Sequence, residues 1–176
     1  MQLRYISGPL DHKCLSQFEA SYSTEYIYRV SIGEMAVDIR KEKLNSPLLG
    51  SYDLKDIEGS IADADQTIVA ENEGELVGFI AVKFESWNNR AEIDGIYVLP
   101  EYKRRGIGMA LIKEAVNYAR TVRARCLWLE TQNINHPAIR FYLKAGFKFC
   151  GFDNSLYDPG EVSPGETALY FSMDIE

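Results

Sequence analysis

The stretch that decides the fold reads Val98-Leu99-Pro100-Glu101-Tyr102-Lys103-Arg104-Arg105-Gly106-Ile107-Gly108-Met109-Ala110-Leu111. An apolar run with β character leads into it, and an amphipathic helix pattern follows it. Gly106 and Gly108 lack a Cβ, so the backbone there can turn tightly and approach a ligand closely. The first amide groups of the helix have no partner inside the helix, and the helix dipole favours anions at that end. Because basic side chains adjoin the glycines, the sequence predicts a cradle for a pyrophosphate group.

Three kinds of phosphate-binding loop share such glycines, and two of them do not fit. A Walker loop needs Lys and then Ser or Thr after its second glycine, which this chain lacks. A dinucleotide loop needs Gly or Ala where Leu111 stands, and an acid about twenty residues later, where Arg123 and Arg125 lie. The third pattern is Arg/Gln-x-x-Gly-x-Gly/Ala, which marks the coenzyme A site of the GNAT N-acetyltransferases. The chain resembles it, with Lys103 in the first position, which keeps the charge but loses the planar fork.

Composition bounds the class of protein. A length of 176 residues with 46% hydrophobic and 26% charged residues predicts a single globular domain spanning residues 1 to 176. The formal net charge of −7 argues against nucleic acid as a partner, since nucleic acid calls for a basic face. The sequence shows no signal peptide and no apolar run of membrane-spanning length, so we expect a cytoplasmic protein with no membrane partner.

Charge is unevenly distributed along the chain. Basic residues dominate from 103 to 125, and acidic residues dominate from 53 to 75. These segments are either two solvated faces or a basic site for a phosphorylated cofactor in a protein whose acidic field attracts a cationic substrate. Both interpretations stay open from charge alone.

Cysteine and histidine residues predict no metal site. Cys14, Cys126 and Cys150 lack metal-like spacing, and His12 and His136 lack a ligand partner at useful spacing. Cys126 opens a short apolar run, which is typical of a buried structural cysteine rather than a nucleophile.

Periodicity predicts a mixed α/β (α+β) domain with β-hairpins early and a βαβα order later. We expect a helix from Asp11 through Tyr22 and one or two strands between 26 and 44, with a helix as the alternative for the second of them, at 35 to 44. An irregular connection is expected at 45 to 51 and a helix at 54 to 62. A hairpin is predicted at 67 to 84, and further strands at 91 to 99, 126 to 129, 147 to 152 and 167 to 175. Helices are predicted after the cradle and from Asn135 to Gly146.

A second motif strengthens the family resemblance. The pattern Asn135-x-x-Ala138-x-x-Phe141-Tyr142-x-x-x-Gly146-Phe147 resembles the second GNAT signature. The two signatures occur in order, each after a strand, and the resemblance covers about residues 65 to 152. It implies a GNAT fold, in which a central, mostly antiparallel, twisted sheet has a splayed strand pair at the acetyl-CoA site and is flanked by helices.

The resemblance implies which residues bind acetyl-CoA, the acetyl donor. Main-chain groups of the strand at 91 to 99 are expected to pair with the pantetheine arm, the turn to wrap the pyrophosphate, and Asn135 to bond the arm. By family position, Tyr142 is expected to protonate the departing sulfur as general acid. The residues implied for the donor are Ile96, Tyr97, Val98, Lys103, Arg104, Arg105, Gly106, Ile107, Gly108, Met109, Asn135, Ala138, Phe141 and Tyr142. The alternative for Tyr142 is a core aromatic.

Acetyl transfer to an amine also needs a neutral nucleophile, because a protonated amine attacks poorly. Glu92 and Asp94 lie two residues apart on the predicted strand, so their side chains are expected to face the same way. Counted from the glycines, each falls where some GNAT relatives place a carboxylate base. Either carboxylate, acting through a water molecule, fits the role of general base. The alternative is that both belong to a solvated strand face. We favour Glu92 as the base, with Asp94 as its partner or as an anchor for a substrate ammonium.

The acceptor is indicated by the resemblance of two short segments to one group of GNAT enzymes. Residues 129 to 133 and 152 to 157 are similar to those of streptothricin acetyltransferases, which acetylate an amine on the β-lysine moiety of a cationic antibiotic. The resemblance predicts this activity, with a small-molecule cationic amine as partner and a homodimer as a possible assembly. Residues expected around the acceptor are Tyr26, Tyr28, Glu85, Asp94, Asp153 and Tyr157. The alternatives are another amine (an aminoglycoside, a polyamine, a protein N-terminus or lysine) or a non-catalytic acyl-CoA-binding module.

Overall fold

The computed structural model describes residues 2–6, Leu15, Phe18 and residues 21–175. The strands are β1 (Gln2–Ile6), β2 (Ser21–Ile32), β3 (Val37–Ser51), β4 (Gln66–Asn72), β5 (Glu75–Glu85), β6 (Arg90–Val98), β7 (Cys126–Gln132), β8 (Lys148–Asp153) and β9 (Ala168–Asp174). The helices are α1 (Leu54–Ala62), α2 (Ile107–Thr121) and α3 (His136–Ala145), with a 3₁₀ turn at Pro100–Tyr102. The predicted mixed α/β class, with a mostly antiparallel sheet, is confirmed.

The chain divides into two compact units. The first contains Met1–Ala20, Ser51–Leu129 and Met173–Glu176, and the second contains Ser21–Gly50 and Glu130–Ser172. The single domain over residues 1 to 176 stays a prediction. In the described part of the chain, no helix is both long enough and apolar enough to cross a membrane.

The first unit is built on strands in the order β1-β4-β5-β6-β7. Neighbours are antiparallel except β6 and β7, which run parallel because α2 connects them as a crossover. Ile68, Phe79, Ile80, Leu111 and Leu127 are fully buried. Burying each such side chain contributes about 1.5–3 kcal/mol, so β4, β5, β7 and α2 share the core that fixes the end of β6. Cys126 is also buried, at the start of β7.

The predicted hairpin between β4 and β5 is confirmed. Glu73 and Gly74 both have positive φ, 54° and 85°, as a two-residue turn matched to the strand twist requires. The helix predicted at 54 to 62 is α1, whose first turn is closed by a reciprocal capping box between Asp53 and Asp56.

The second unit combines the β2–β3 pair with α3, with the end of β7 from Glu130, and with β8 and β9, which pair antiparallel. Three sequence expectations change here. Tyr22 lies in β2, so the helix predicted through it is wrong there, and its predicted start at Asp11 lies outside the described residues. Residues 35 to 44, left open between helix and strand, enter β3 from Val37. The irregular connection predicted at 45 to 51 is wrong because β3 continues through Pro47, which a strand with a free edge tolerates.

Candidate active site

Strand β6 is paired along its length with β5 but only partly with β7. Its parallel pairing with β7 ends at Ile93. In the described part of the first unit, the backbone of residues 94–98 is therefore unpaired on that side, and backbone groups need partners. An extended ligand can add to such an edge through main-chain hydrogen bonds. Ile96, Tyr97 and Val98, predicted to meet the pantetheine arm, lie on it.

The same strand carries a β-bulge. The register between β5 and β6 shifts between Ala81 and Val82, which leaves Asp94 as an extra residue in β6. A bulge bends a strand and changes the direction of a side chain, and bulges are frequent beside active sites. The bulge coincides with the point where the pairing between β6 and β7 ends.

Glu92, just before the bulge, has a perturbed carboxyl group. Burial raises the pKa of Glu92 above its usual range, and the negative charges of Asp94 and Glu85 raise it further. The positive charges of Lys83 and Arg90 act against this shift. The charge of Asp94 therefore acts on the Glu92 carboxyl, and the expectation that the two side chains face the same way stays a prediction. A carboxylate of raised pKa is a stronger base than an ordinary glutamate.

Asp94 and Glu85 extend this acidic group. The side chain of Asp94 reaches the surface, yet partial desolvation raises the pKa of its carboxyl, with a further contribution from Asp63. Glu85 forms an ion pair with Lys83 at 3.1 Å. The four carboxylates of Asp63, Glu85, Glu92 and Asp94 thus outnumber the positive charges of Lys83 and Arg90 in this part of the first unit, which gives it a negative potential that attracts a cation.

The predicted pyrophosphate cradle follows β6. Arg104 and Gly106 have positive φ, 63° and 85°, and Gly106 precedes the first residue of α2. A Cβ built at Gly106 meets no atom within 4 Å, so glycine is needed there for its conformation rather than for lack of space. In the described part of the chain, no side chain caps this helix end, which leaves its first amides for a ligand.

Basic side chains complete the turn. Lys103, Arg104 and Arg105 are all exposed, and the Arg105 guanidinium lies 5.1 Å from the centre of the Tyr102 ring. Uncapped amides, a helix dipole and three cations fit a diphosphate group. The predicted donor ligands in this segment are Lys103, Arg104, Arg105, Gly106, Ile107, Gly108 and Met109.

In the second unit, Asn135 begins α3. Its side-chain oxygen accepts a hydrogen bond from the Ala138 amide at 3.1 Å, and a proline occupies the first turn. Gly146, with φ of 102°, ends the helix. The helix predicted from the second motif is therefore confirmed. The expected contact of Asn135 with pantetheine stays a prediction.

Tyr142 lies on the buried face of α3 and is 8% exposed. Its ring packs against Phe141, with centroids 5.4 Å apart, and edge-on against Phe147 at 5.9 Å. This packing restricts the ring and so fixes the direction of its hydroxyl. It agrees both with a core aromatic and with a positioned general acid, and the assignment as acid stays a prediction.

Tyr26 and Tyr28 lie on one face of β2 and flank the imidazole of His136. The ring centroids are 5.3 Å and 5.5 Å from that of His136, and the Lys41 ammonium lies 4.7 Å from the centre of the Tyr26 ring. Burial lowers the pKa of His136, and the charges of Lys41 and Arg140 lower it further, so the imidazole is neutral at pH 7. The sequence analysis considered His136 only as a metal ligand and rejected it. In the structure, the imidazole contacts the rings of Tyr26 and Tyr28. The described residues contain no group of side chains that could hold a metal ion.

Asn133, at the turn between β7 and α3, is buried and fully hydrogen bonded. Its side-chain amide donates to the carbonyl oxygens of Tyr28, at 2.8 Å, and Gly165, at 3.1 Å. Its side-chain oxygen accepts from the Thr167 amide at 2.9 Å. Its backbone groups add bonds to Tyr28 and Thr167. One side chain therefore joins β2, the turn before α3 and the 154–167 loop.

Two further residues predicted to surround the acceptor come from this part of the second unit. The Tyr157 hydroxyl donates a short hydrogen bond to the Glu130 carboxylate. Asp153 accepts hydrogen bonds from the amide and hydroxyl of Ser155, which hold the pKa of its carboxyl below the usual range. Asp153 is therefore ionised at neutral pH, although it is directed to its own loop.

A cavity of about 460 Å³ lies between β2 and the 154–167 loop. This volume is in the range of small-molecule sites. Arg29, held by Glu42 at 3.1 Å, supplies a positive charge in its wall. Further lining residues include Asn154, Tyr157, Gly165, Glu166 and Thr167.

Sequence reasoning missed Asn133, Glu130 and His136 as site residues. The partners of Asn133 are 105, 32 and 34 positions away, so no local spacing signals its role. Glu130 and Asn133 stand in the segment that resembles streptothricin acetyltransferases, and that was the available signal.

The sequence of residues 33–147 matches the acetyltransferase (GNAT) family. The chain is 37% identical to the streptothricin acetyltransferase of Streptomyces lavendulae over 172 residues, which cover 94% of this chain and 90% of that protein. It is 30% identical to streptothricin acetyltransferase A of Bacillus subtilis over 119 residues, 66% of this chain and 68% of that one.

Solved structures agree. The crystal structure of nourseothricin acetyltransferase superposes with a TM-score of 0.85 and 36% identity, covering 99% of both chains. An acetyltransferase of Bacillus anthracis, solved in complex with acetyl coenzyme A, gives a TM-score of 0.77 and 25% identity over 100% of this chain and 99% of that one. With the cradle and both motifs in place, the chain belongs to the GNAT family of acetyl-CoA-dependent N-acetyltransferases.

Proposed function

We propose that the enzyme transfers the acetyl group of acetyl-CoA to an amine of streptothricin, on its β-lysine moiety, and so inactivates a cationic antibiotic. The observation that carries this substrate is the similarity, over nearly the full length of both chains, to a streptothricin acetyltransferase. The acidic group at Glu85, Glu92 and Asp94 supports it, because a polycation is attracted to such a surface.

We assign the donor-binding roles residue by residue from the two family motifs. The main chain of Ile96, Tyr97 and Val98 pairs with the pantetheine arm, and residues 103–109 hold the pyrophosphate. Asn135, Ala138 and Phe141, from the second motif, contact the arm. The unpaired edge of β6 and the uncapped start of α2 support these roles.

The acceptor must lose a proton before it attacks. We assign the base to Glu92, directly or through one water, because its raised pKa suits proton acceptance better than that of an ordinary carboxylate. Asp94 holds the ammonium form of the acceptor beside it. The neutral amine then forms a bond to the thioester carbonyl carbon, the carbon–sulfur bond breaks, and Tyr142 donates its proton to the sulfur. The nitrogen, now bonded to the acetyl group, loses its second proton to the Tyr142 phenolate, directly or through water, which gives the amide and restores the Tyr142 hydroxyl.

The remaining acceptor contacts are assigned to the second unit. Tyr26 and Tyr28 offer aromatic faces to a cation, and Asp153 offers an ionised carboxylate. Tyr157, fixed by Glu130, borders the cavity described above. We place the enzyme in the cytoplasm. The homodimer stays a prediction, tested by whether the chain sediments at 20.0 kDa or twice that mass.

The test is a panel of amines, with thiol release from acetyl-CoA as the rate and mass spectrometry of the product. The panel contains streptothricin, aminoglycosides, linear polyamines and peptides with a free N-terminus or lysine. We expect turnover with streptothricin and one added acetyl group. Turnover with peptides but not with streptothricin would contradict the substrate, and binding of acetyl-CoA without turnover of any amine would favour a non-catalytic module.

A further inference from the structure

We propose that Asn133 is a positioning residue for the acceptor: it holds Tyr28 and the 154–167 loop in the arrangement that binds the amine substrate. This inference rests on the proposed function, since it takes those segments as the acceptor-binding surface. Asn133 itself is 2% exposed, so we assign it no direct contact with either substrate.

Both polar atoms of the Asn133 side chain, the amide nitrogen and the oxygen, are hydrogen bonded. Its side chain has two amide hydrogens and one oxygen in bonds of 2.8, 3.1 and 2.9 Å, to three residues on two other segments. Buried carbonyl groups need such donors, because leaving one unpaired away from water is unfavourable. No side chain other than Asn has this shape with two donors and one acceptor at this reach.

The segments joined by Asn133 are those that carry the second unit's acceptor residues. Tyr26 and Tyr28 lie in β2, and the Tyr28 carbonyl accepts from the Asn133 amide. Gly165 and Thr167, the other two partners, belong to the wall of the 460 Å³ cavity, which Arg29 of β2 and Tyr157 also line. A shift of the loop alters this wall, and a shift of β2 displaces both Tyr28 and the neighbouring Arg29. A misplacement of about 1 Å in such a surface is enough to alter binding strongly.

Asn133→Asp separates positioning from packing. Asp has the same shape, and its carboxylate still accepts from the Thr167 amide. However, its second oxygen faces the carbonyl oxygens of Tyr28 and Gly165, where attraction becomes repulsion. The variant therefore releases β2 and the loop without opening a cavity. Asn133→Ala removes all three bonds and serves as the second variant.

The experiment measures steady-state kinetics with whichever amine of the panel the wild type acetylates, and acetyl-CoA binding by calorimetry. In Asn133→Asp, we expect the KM for the amine to rise about ten-fold or more, with kcat and acetyl-CoA affinity within about two-fold of wild type. Ile68→Val and Ile68→Ala, in the core of the first unit, are the controls. They lower the thermal stability by a smaller and a larger amount, so that one of them can be matched to each Asn133 variant. A general loss of stability moves neither KM selectively, so these controls are expected to keep both KM values.

Each outcome decides the inference. A selective rise of the amine KM in both Asn133 variants, absent from the Ile68 controls, supports it. An unchanged amine KM, or parallel losses for both substrates matched by the Ile68 controls, overturns it while leaving the proposed function standing. A wild type that acetylates no amine overturns the proposed function and this inference together. If Asn133→Asp does not fold, the same criteria apply to Asn133→Ala and to Asn133→Ser.

Discussion

The donor cradle and the acceptor-binding surface are built in different ways. The cradle, residues 98–109, is one continuous stretch in which strand, turn and helix follow each other along the chain. The acceptor-binding surface that we propose in the second unit combines β2, the turn at Asn133 and the 154–167 loop, which are far apart in sequence. A local motif can therefore identify the donor, whereas the acceptor depends on contacts that only the fold creates.

This difference has a physical cause. Backbone amides and a helix dipole bind a diphosphate wherever a strand–turn–helix has suitable glycines, so the same donor site can be reused unchanged. In the proposed site, by contrast, the acceptor is bound by side chains on separate segments, whose relative position is held by hydrogen bonds and packing. The comparison predicts that variants fall into separable classes, according to which substrate they affect.

The largest expected effect is that of Tyr142→Phe on kcat, the rate of the chemical step. Tyr142→Phe keeps the ring that packs against Phe147 but removes the hydroxyl, so we expect kcat to fall about 100-fold while acetyl-CoA affinity is unchanged. Steady-state kinetics and calorimetry check this. Tyr170→Phe in β9 is the matched control and is expected to keep its kcat. A kcat within about two-fold of wild type would remove Tyr142 as the acid.

Glu92→Gln is expected to lower kcat/KM about 10- to 100-fold at pH 7, because it removes the base while keeping the shape. In the wild type, the rate should rise with pH through a pKa above the usual glutamate value, as the carboxyl loses its proton. The pH profile of the variant should lack this limb. Glu73→Gln, in the β4–β5 turn, is the control. If the rate of Glu92→Gln rises with pH in the same way as that of the wild type, the base is another group, first of all Asp94.

Gly106→Ala tests the donor side alone. A non-glycine residue in the left-handed conformation costs about 1–2 kcal/mol, so binding has to restore the turn. We expect the KM for acetyl-CoA to rise about five- to thirty-fold with little change in the KM for the amine. Gly59→Ala is the matched control for Gly106→Ala, because a Cβ built at either glycine meets no atom within 4 Å. It lies inside helix α1 and should stabilise the protein instead. Equal effects of the two substitutions would refute the role of the turn.

The smallest expected effect is on stability. Since burial raises the pKa of Glu92 in the folded protein, the neutral form favours the fold. Its contribution is present below the unfolded value of about 4 and is lost as pH rises through the higher folded value. Glu92→Gln should therefore melt about 1–4 °C above wild type at pH 7, with the difference disappearing near pH 4. A lower Tm of the variant at pH 7 would contradict the assigned environment.

The sequence predicted the local structure of the two motifs because its signals are local. The glycines, the apolar run before them, the cap at Asn135 and the end at Gly146 each act within a few residues, and each lies where predicted. The extent of β3 was not predicted, since Pro47 and neighbouring polar residues resemble a loop unless the partner strand is known. The role of Asn133 was missed for the same reason, because its partners lie elsewhere in the chain. His136 was judged only as a metal ligand, whereas its contacts are with Tyr26 and Tyr28.

The most direct test of the central claim is the rate of thiol release from acetyl-CoA by the wild-type enzyme, with streptothricin as acceptor and mass spectrometry of the product. We expect release to depend on streptothricin, and the product to carry one added acetyl group on its β-lysine moiety. Release with another amine of the panel, and none with streptothricin, would contradict it.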